Sequence, residues 1–104
     1  MGFNADILTA GRNVVIALSG DLDATAAPGF YEILQRAAKD RPRTLALTMH
    51  ELNYISSAGL RGLVFARQNM GDGVEIVVEG ANETVTETIR MTGLDHAVVL
   101  RPVT

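Results

Sequence analysis

Short runs of aliphatic and β-branched residues alternate along this chain with longer stretches in which apolar positions fall three and four residues apart. The short runs end at glycine, proline or charge, and this predicts strands over Asn13 to Ser19, Arg43 to Met49, Val74 to Glu79 and Ala97 to Leu100. A weaker strand is predicted over Phe3 to Thr9. The Ala10-Gly11-Arg12 segment behind it reads as a tight hairpin turn, with Gly11 supplying the positive φ such turns need. The sheet should therefore begin antiparallel.

The helical spacing predicts three helices. Thr25 to Lys39 starts with a Thr cap and Pro28 in its first turn and aligns Phe30, Ile33, Leu34, Ala37 and Ala38 on one face. Ala58 to Met70 aligns Leu60, Leu63 and Val64 with the aliphatic stem of Arg67, and Gly71-Asp72-Gly73 stops it. Glu83 to Thr92 follows Asn82 as cap, buries Val85 and Ile89, and ends at Gly93. The order ββαβαβαβ is that of an α/β protein. Its later strands need crossover connections, so they should be parallel neighbours in a mixed sheet with helices packed against it. No linker or repeat divides residues 1–104, which read as a single domain ending almost at once after the last strand.

Composition narrows the function. A hydrophobic share of 47% with 20% charged residues fits a folding globular chain, and the absence of cysteine excludes disulfides and thiolate metal sites. Lys+Arg 9 against Asp+Glu 12 gives a net charge of -3, without the basic excess that nucleic acid would attract. The longest apolar run, Val14 to Leu18, falls far below the ~20 residues of a membrane span, and no basic leader precedes it. A cytoplasmic location is expected. Asp6 stands where a myristoylation signal wants a hydroxyl, and Asn82 is better used as a helix cap than as a glycan acceptor.

Candidate chemistry is sparse. His50, just after a strand, and His96, in a turn, are the only imidazoles, and neither has metal or catalytic spacing; both read as solvated loop histidines. Gly71-Asp72-Gly73 follows a helix and precedes a strand, the reverse of a nucleotide loop. Asp21 and Asp23 follow a strand at the end where α/β sites gather, from which they can bind a cation or orient a hydroxyl, although the segment has too few oxygens for a metal cage. Asp23 can equally start the next helix.

Ser56 and Ser57 are the most informative pair. They fall at the start of the helix after the second predicted interior strand, where unpaired N–H groups and the positive dipole end favour an anion. A phosphate on Ser57 would meet those groups and add about -1.5 to -2 of charge to the surface. A serine there is also a good helix cap with no other role, and if Ser57 were that cap its loss to alanine would cost ~0.5–2 kcal/mol.

The segment Tyr54 to Leu60, preceded by the strand Leu45 to Met49 and by Gly20 to Asp23, resembles the STAS domain of bacterial anti-sigma factor antagonists. The likeness runs from the first hairpin to Leu100 and includes Met91 to Asp95. It implies a STAS-like mixed sheet and a regulator without catalysis or cofactor. Members bind an anti-sigma factor that is often also a serine kinase, and phosphorylation reverses the binding. The phosphorylated serine of the family follows an Asp and precedes a small residue and Gly-Leu, which carries that role to Ser57. Here Ser56 replaces the Asp and Ala58 stands where many members have a hydroxyl, and a C-terminal helix common in the family has no counterpart. By the same resemblance the contact surface comprises Asp21, Asp23, Thr25, Ser56, Ala58, Gly59, Leu60 and Arg61. The alternative is a STAS module that binds without modification, as in subunits of lipid-transport ATPases.

Overall fold

A computed structural model of the protein describes residues 2–101. Five strands, β1 (Asn4–Ala10), β2 (Asn13–Leu22), β3 (Thr44–Ile55), β4 (Glu75–Glu79) and β5 (Val99–Arg101), lie in sequence order in one sheet. Helices α1 (Ala27–Lys39), α2 (Ser57–Met70) and α3 (Glu83–Met91) fill the crossovers, and a short 3-10 turn, Leu94–His96, precedes β5. β1 is antiparallel to β2, and each later pair is parallel. The expected ββαβαβαβ mixed sheet is therefore the observed one. The expectation of no helix after the last strand concerns residues 102–104, which lie outside the described residues.

The hairpin closes with Ala10 opposite Asn13, so Gly11 and Arg12 form a two-residue turn, and Gly11 has φ 62°. A positive φ at the first central position alone is the sign pattern of a type II′ turn, which suits the twist of the flanking strands.

Parallel strands advancing in one direction, each joined by a right-handed crossover, place all the helices on one face. That face of the sheet carries Val14, Ile16, Leu18, Leu45, Leu47, Met49, Ile76 and Val78, all buried with Phe30, Leu34, Leu63, Val85 and Ile89 of the helices. The α1 stripe was readable from spacing. On α2, Leu60 and Leu63 are buried as expected, whereas Val64 is 36% exposed.

Several boundaries differ from the pattern. β2 and β3 run past Ser19 and Met49 because they keep hydrogen bonding to one another, β2 with its burial still alternating to Leu22. Their register shifts near Ser19 and Gly20, and the burial of β3 loses its alternation after Met49. His50 consequently lies within β3, not in a loop, its ring against Gly80. α1 begins at Ala27, not Thr25, and Ala97 and Val98 belong to the turn before β5.

The α1–α2 contact is unusually close. A Cβ at Gly62 would lie 2.5 Å from the Phe30 ring, and Tyr31 stacks on Phe65 with centroids 5.6 Å apart. Arg67 does more than extend an apolar stem: its guanidinium donates to the carbonyls of Gly71, Val74 (2.6 Å) and Ala97 (3.4 Å). It thereby satisfies carbonyls beyond the end of α2 and ties them to the approach to β5.

These contacts give Gly62→Ala a defined outcome. Helix propensity alone favours alanine by about 1 kcal/mol. Forcing a methyl into the Phe30 ring costs typically ~1–3 kcal/mol, so the variant should be the less stable, as read by urea denaturation at constant slope.

Candidate functional site

The loops after β2, β3 and β4 meet at the carboxyl end of the sheet, each starting a helix. After β2, the Asp23 carboxylate accepts from the Thr25 hydroxyl at 2.7 Å and from the Ala26 N–H at 3.0 Å. Its backbone carbonyl accepts from the N–H groups of Ala26 and Ala27, both at 3.1 Å. Asp23 thus organises the start of α1, and Thr25 supports Asp23; this corrects the expectation of a Thr cap. The Thr25 hydroxyl, followed by the Ala26 N–H, holds the Asp23 carboxyl below its ordinary value.

After β3, Ser56 takes the cap. Its backbone is extended, and its hydroxyl accepts from the Gly59 N–H at 3.2 Å while its carbonyl accepts from Leu60 at 2.9 Å. Ser57 is the first residue of α2 and is exposed. The reading of Ser57 as the cap is therefore corrected: the geometry gives the two hydroxyls different work. Ser56 is anchored by helix closure, and Ser57 stands outside it at the positive end of the helix.

The start of α2 is held from several directions. The Ser56 N–H donates to the Leu22 carbonyl at 2.8 Å, joining the ends of β2 and β3. The Tyr31 hydroxyl donates to the Ala58 carbonyl at 3.0 Å. Gly59 admits the close fit, since a Cβ there would meet Leu22 at 2.8 Å and Ile55 at 2.9 Å. Leu60 is buried, whereas Arg61 is exposed one turn beyond Ser57.

Asp21 stands opposite Tyr54 in the parallel register, and Leu22 opposite Ile55, so the Asp21–Thr25 segment runs beside the one leading to Ser57. The structure brings these two sequence segments together. It also adds Tyr54, 49% exposed in this otherwise polar region, which alternation could not assign because β3 has lost its regular pattern there. Asn82 caps α3 by accepting from Val85 at 2.8 Å, as its position predicts, and also donates to the Leu52 carbonyl at 3.2 Å. Among the described residues no group of three or more His, Asp or Glu side chains is placed to hold a metal ion.

The two serines should separate in stability measurements. Ser56→Ala loses the cap and should cost ~0.5–2 kcal/mol, while Ser57→Ala should be near neutral because alanine is a good residue inside a helix. Asp23 should show its role through pH. A carboxyl lowered by folding contributes stability above its unfolded value and loses that contribution as pH falls through the folded one. Asp23→Ala should therefore be destabilised at neutral pH, and its gap from the unaltered protein should narrow below pH 3.8 in thermal midpoints.

Comparison with known proteins agrees with this architecture. The STAS domain family matches residues 4–103. The chain is 24% identical over 81 residues to the anti-sigma-F factor antagonist RsfB of Mycobacterium tuberculosis, a match that covers 78% of this chain and 66% of the relative. An anti-sigma factor antagonist from Mycobacterium paratuberculosis superposes with a TM-score of 0.85 at 23% identity, covering 98% of this chain and 87% of the other. The anti-sigma factor antagonist SpoIIAA in its unphosphorylated form gives 0.78 at 18% identity, covering 97% and 89% respectively. With the family matched over nearly its whole length and the same fold in its structural neighbours, the chain belongs to the STAS domain family.

Proposed function

We infer that this protein is an anti-sigma factor antagonist acting by partner switching, with Ser57 as its phosphoacceptor. Its partner in this reading is an anti-sigma factor that is also a serine kinase, met in the cytoplasm. The observation that carries the reading is the division of labour at α2: Ser56 closes the helix, which leaves Ser57 exposed at its first position. A phosphate on Ser57 would sit at a helix N-terminus, where the fold tolerates negative charge.

The docking surface joins Asp21, Asp23 and Thr25 to Ser56, Ala58, Gly59, Leu60 and Arg61. Not all of these touch the partner through side chains. Gly59 and Leu60 are buried and set the position of the helix, while Thr25, Ser57 and Arg61 are exposed. A partner surface matched to the neutral Ser57 hydroxyl is repelled by a dianion at the same place, so binding is reset without a change of fold. RsfB and the two structural relatives are antagonists by name, which supports the same class of partner. No described helix is long and apolar enough to cross a membrane.

The second reading is a STAS module that docks through α2 without modification, such as a subunit of a lipid-transport ATPase. Ser56 in place of the family's Asp, together with Ala58, favours it. Pull-down from native lysate discriminates, because recovery of an ATP-binding-cassette subunit instead of a sigma-regulating kinase reverses the order of the two readings.

Incubation with the kinase encoded beside the gene and ATP should add one phosphate by intact mass, and Ser57→Ala should abolish it. An adduct retained in that variant removes Ser57 from the role. Binding gives a second test. Ser57→Asp should be neutral or slightly stabilising at the helix N-terminus yet weaken partner affinity, whereas Ser57→Ala should keep it. An Asp variant that binds as tightly as the Ala variant favours the unmodified module.

A further inference from the structure

The amino-terminal ends of β2, β3 and β4 lie at the opposite end of the sheet from Ser57, and a surface cavity of about 450 Å³ opens there. It is formed where the β1–β2 hairpin, the α1–β3 connection and the α2–β4 turn meet. Arg12, Arg41 and Arg43 line it, and no carboxylate does. This grouping of guanidinium groups occurs in a chain whose net charge is -3. Local bonds hold the arginine-bearing segments together: the Arg43 N–H donates to the Arg12 carbonyl at 2.6 Å, and Arg12 Nη2 donates to the Arg41 carbonyl at 3.4 Å.

Helix ends explain some cations in this region, including in part Arg12 through its bond to the Arg41 carbonyl, but not Arg43. α1 and α2 both terminate nearby, and their carboxyl ends attract positive charge. Arg36 and Lys39 already occupy the last turn of α1, and Arg67 that of α2. Arg12 and Arg43 lie outside the helices, and Arg41 lies beyond the α1 cap at Asp40.

Arg41 is the informative residue. Its φ of 47° makes it the sole non-glycine residue with positive φ among the described residues. Its N–H donates to the Ala38 carbonyl at 3.1 Å, the left-handed helix ending at which glycine is the usual residue. Pro42 turns Arg41 away from a right-handed helical conformation, which explains why the helix stops there. It does not explain an arginine in a place that strains every residue with a Cβ. What arginine has and glycine lacks is a guanidinium, here carried by a residue that lines the cavity.

We propose that this cavity binds a small phosphate-bearing ligand, with Arg41 making that contact from a strained backbone position. Guanidinium forks match phosphate oxygens in paired hydrogen bonds, and several forks suit a ligand carrying more than one negative charge. Ala38, Pro42 and Val74 supply an apolar wall for its carbon part. The cavity volume lies within the usual range for small-molecule sites.

Inorganic pyrophosphate is the probe, titrated into isotope-labelled protein and followed by NMR. Saturable shifts should concentrate at Arg12, Arg41, Arg43 and the Gly73-Val74 turn. Arg41→Gly should weaken binding by about tenfold or more, the scale of a lost charge-assisted hydrogen bond, while its thermal midpoint holds or rises. Arg43→Gln, which leaves the strained position untouched, should also weaken binding. Shifts that grow linearly, or that spread equally to Arg61 and Arg90, overturn the proposal, as does an Arg41→Gly protein that binds like the unaltered one. Binding to anionic phospholipid vesicles without binding to pyrophosphate overturns the small-ligand assignment.

Discussion

Without Cβ atoms at Gly59 and Gly62, α2 settles against Leu22 and Ile55 at the sheet ends and against Phe30 and Tyr31 of α1. The position of every residue at the start of α2 depends on that contact. Phe30 is fully buried beneath Gly62, so any outward movement of α2 would expose a large aromatic surface. The Tyr31 hydroxyl bond to Ala58 and the Ser56 bond to Leu22 then fix the first turn relative to both α1 and β2. Ser57 is consequently an exposed hydroxyl on a turn tied to both α1 and β2. In the proposed function, a phosphate on a turn held in this way changes binding without having to reorganise the protein.

The two ends of the sheet are chemically unlike. At the carboxyl end, Asp23, Ser56 and Asn82 each precede a helix, and their side chains accept hydrogen bonds from N–H groups at or just before its first turn. At the amino end, Arg67 donates to carbonyls left open past α2, and Arg12, Arg41 and Arg43 surround a cavity. Part of this sorting is a consequence of parallel crossovers, which point every helix N-terminus one way and every C-terminus the other. Arg43, outside the helices, exceeds what that rule requires.

Local pattern was sufficient wherever a residue's role depends on its near neighbours. The Gly11 turn, the apolar stripe of α1 and the Asn82 cap all follow from spacing and backbone chemistry within a few residues. The family, too, was legible, because the order Gly20 to Asp23, then Tyr54 to Leu60, then Met91 to Asp95 survives in sequence. The segments assigned to the proposed docking surface were named on the same basis.

Tertiary structure decided the roles that depend on which distant groups are brought into contact. Ser56 and Ser57 are equivalent in composition and adjacent in position, and only the direction in which β3 enters α2 makes one the cap and exposes the other. Pairing with β2 carries β3 past its last alternating residue, which puts His50 in a strand and Tyr54 beside Asp21. Arg67 reads in sequence as an aliphatic stem, yet the fold delivers to it a carbonyl from Ala97, thirty positions away. Sequence therefore determined the elements and their order, since backbone propensity and amphipathic period act locally. The fold determined which polar groups are occupied and which remain exposed, because that depends on partners no local pattern contains.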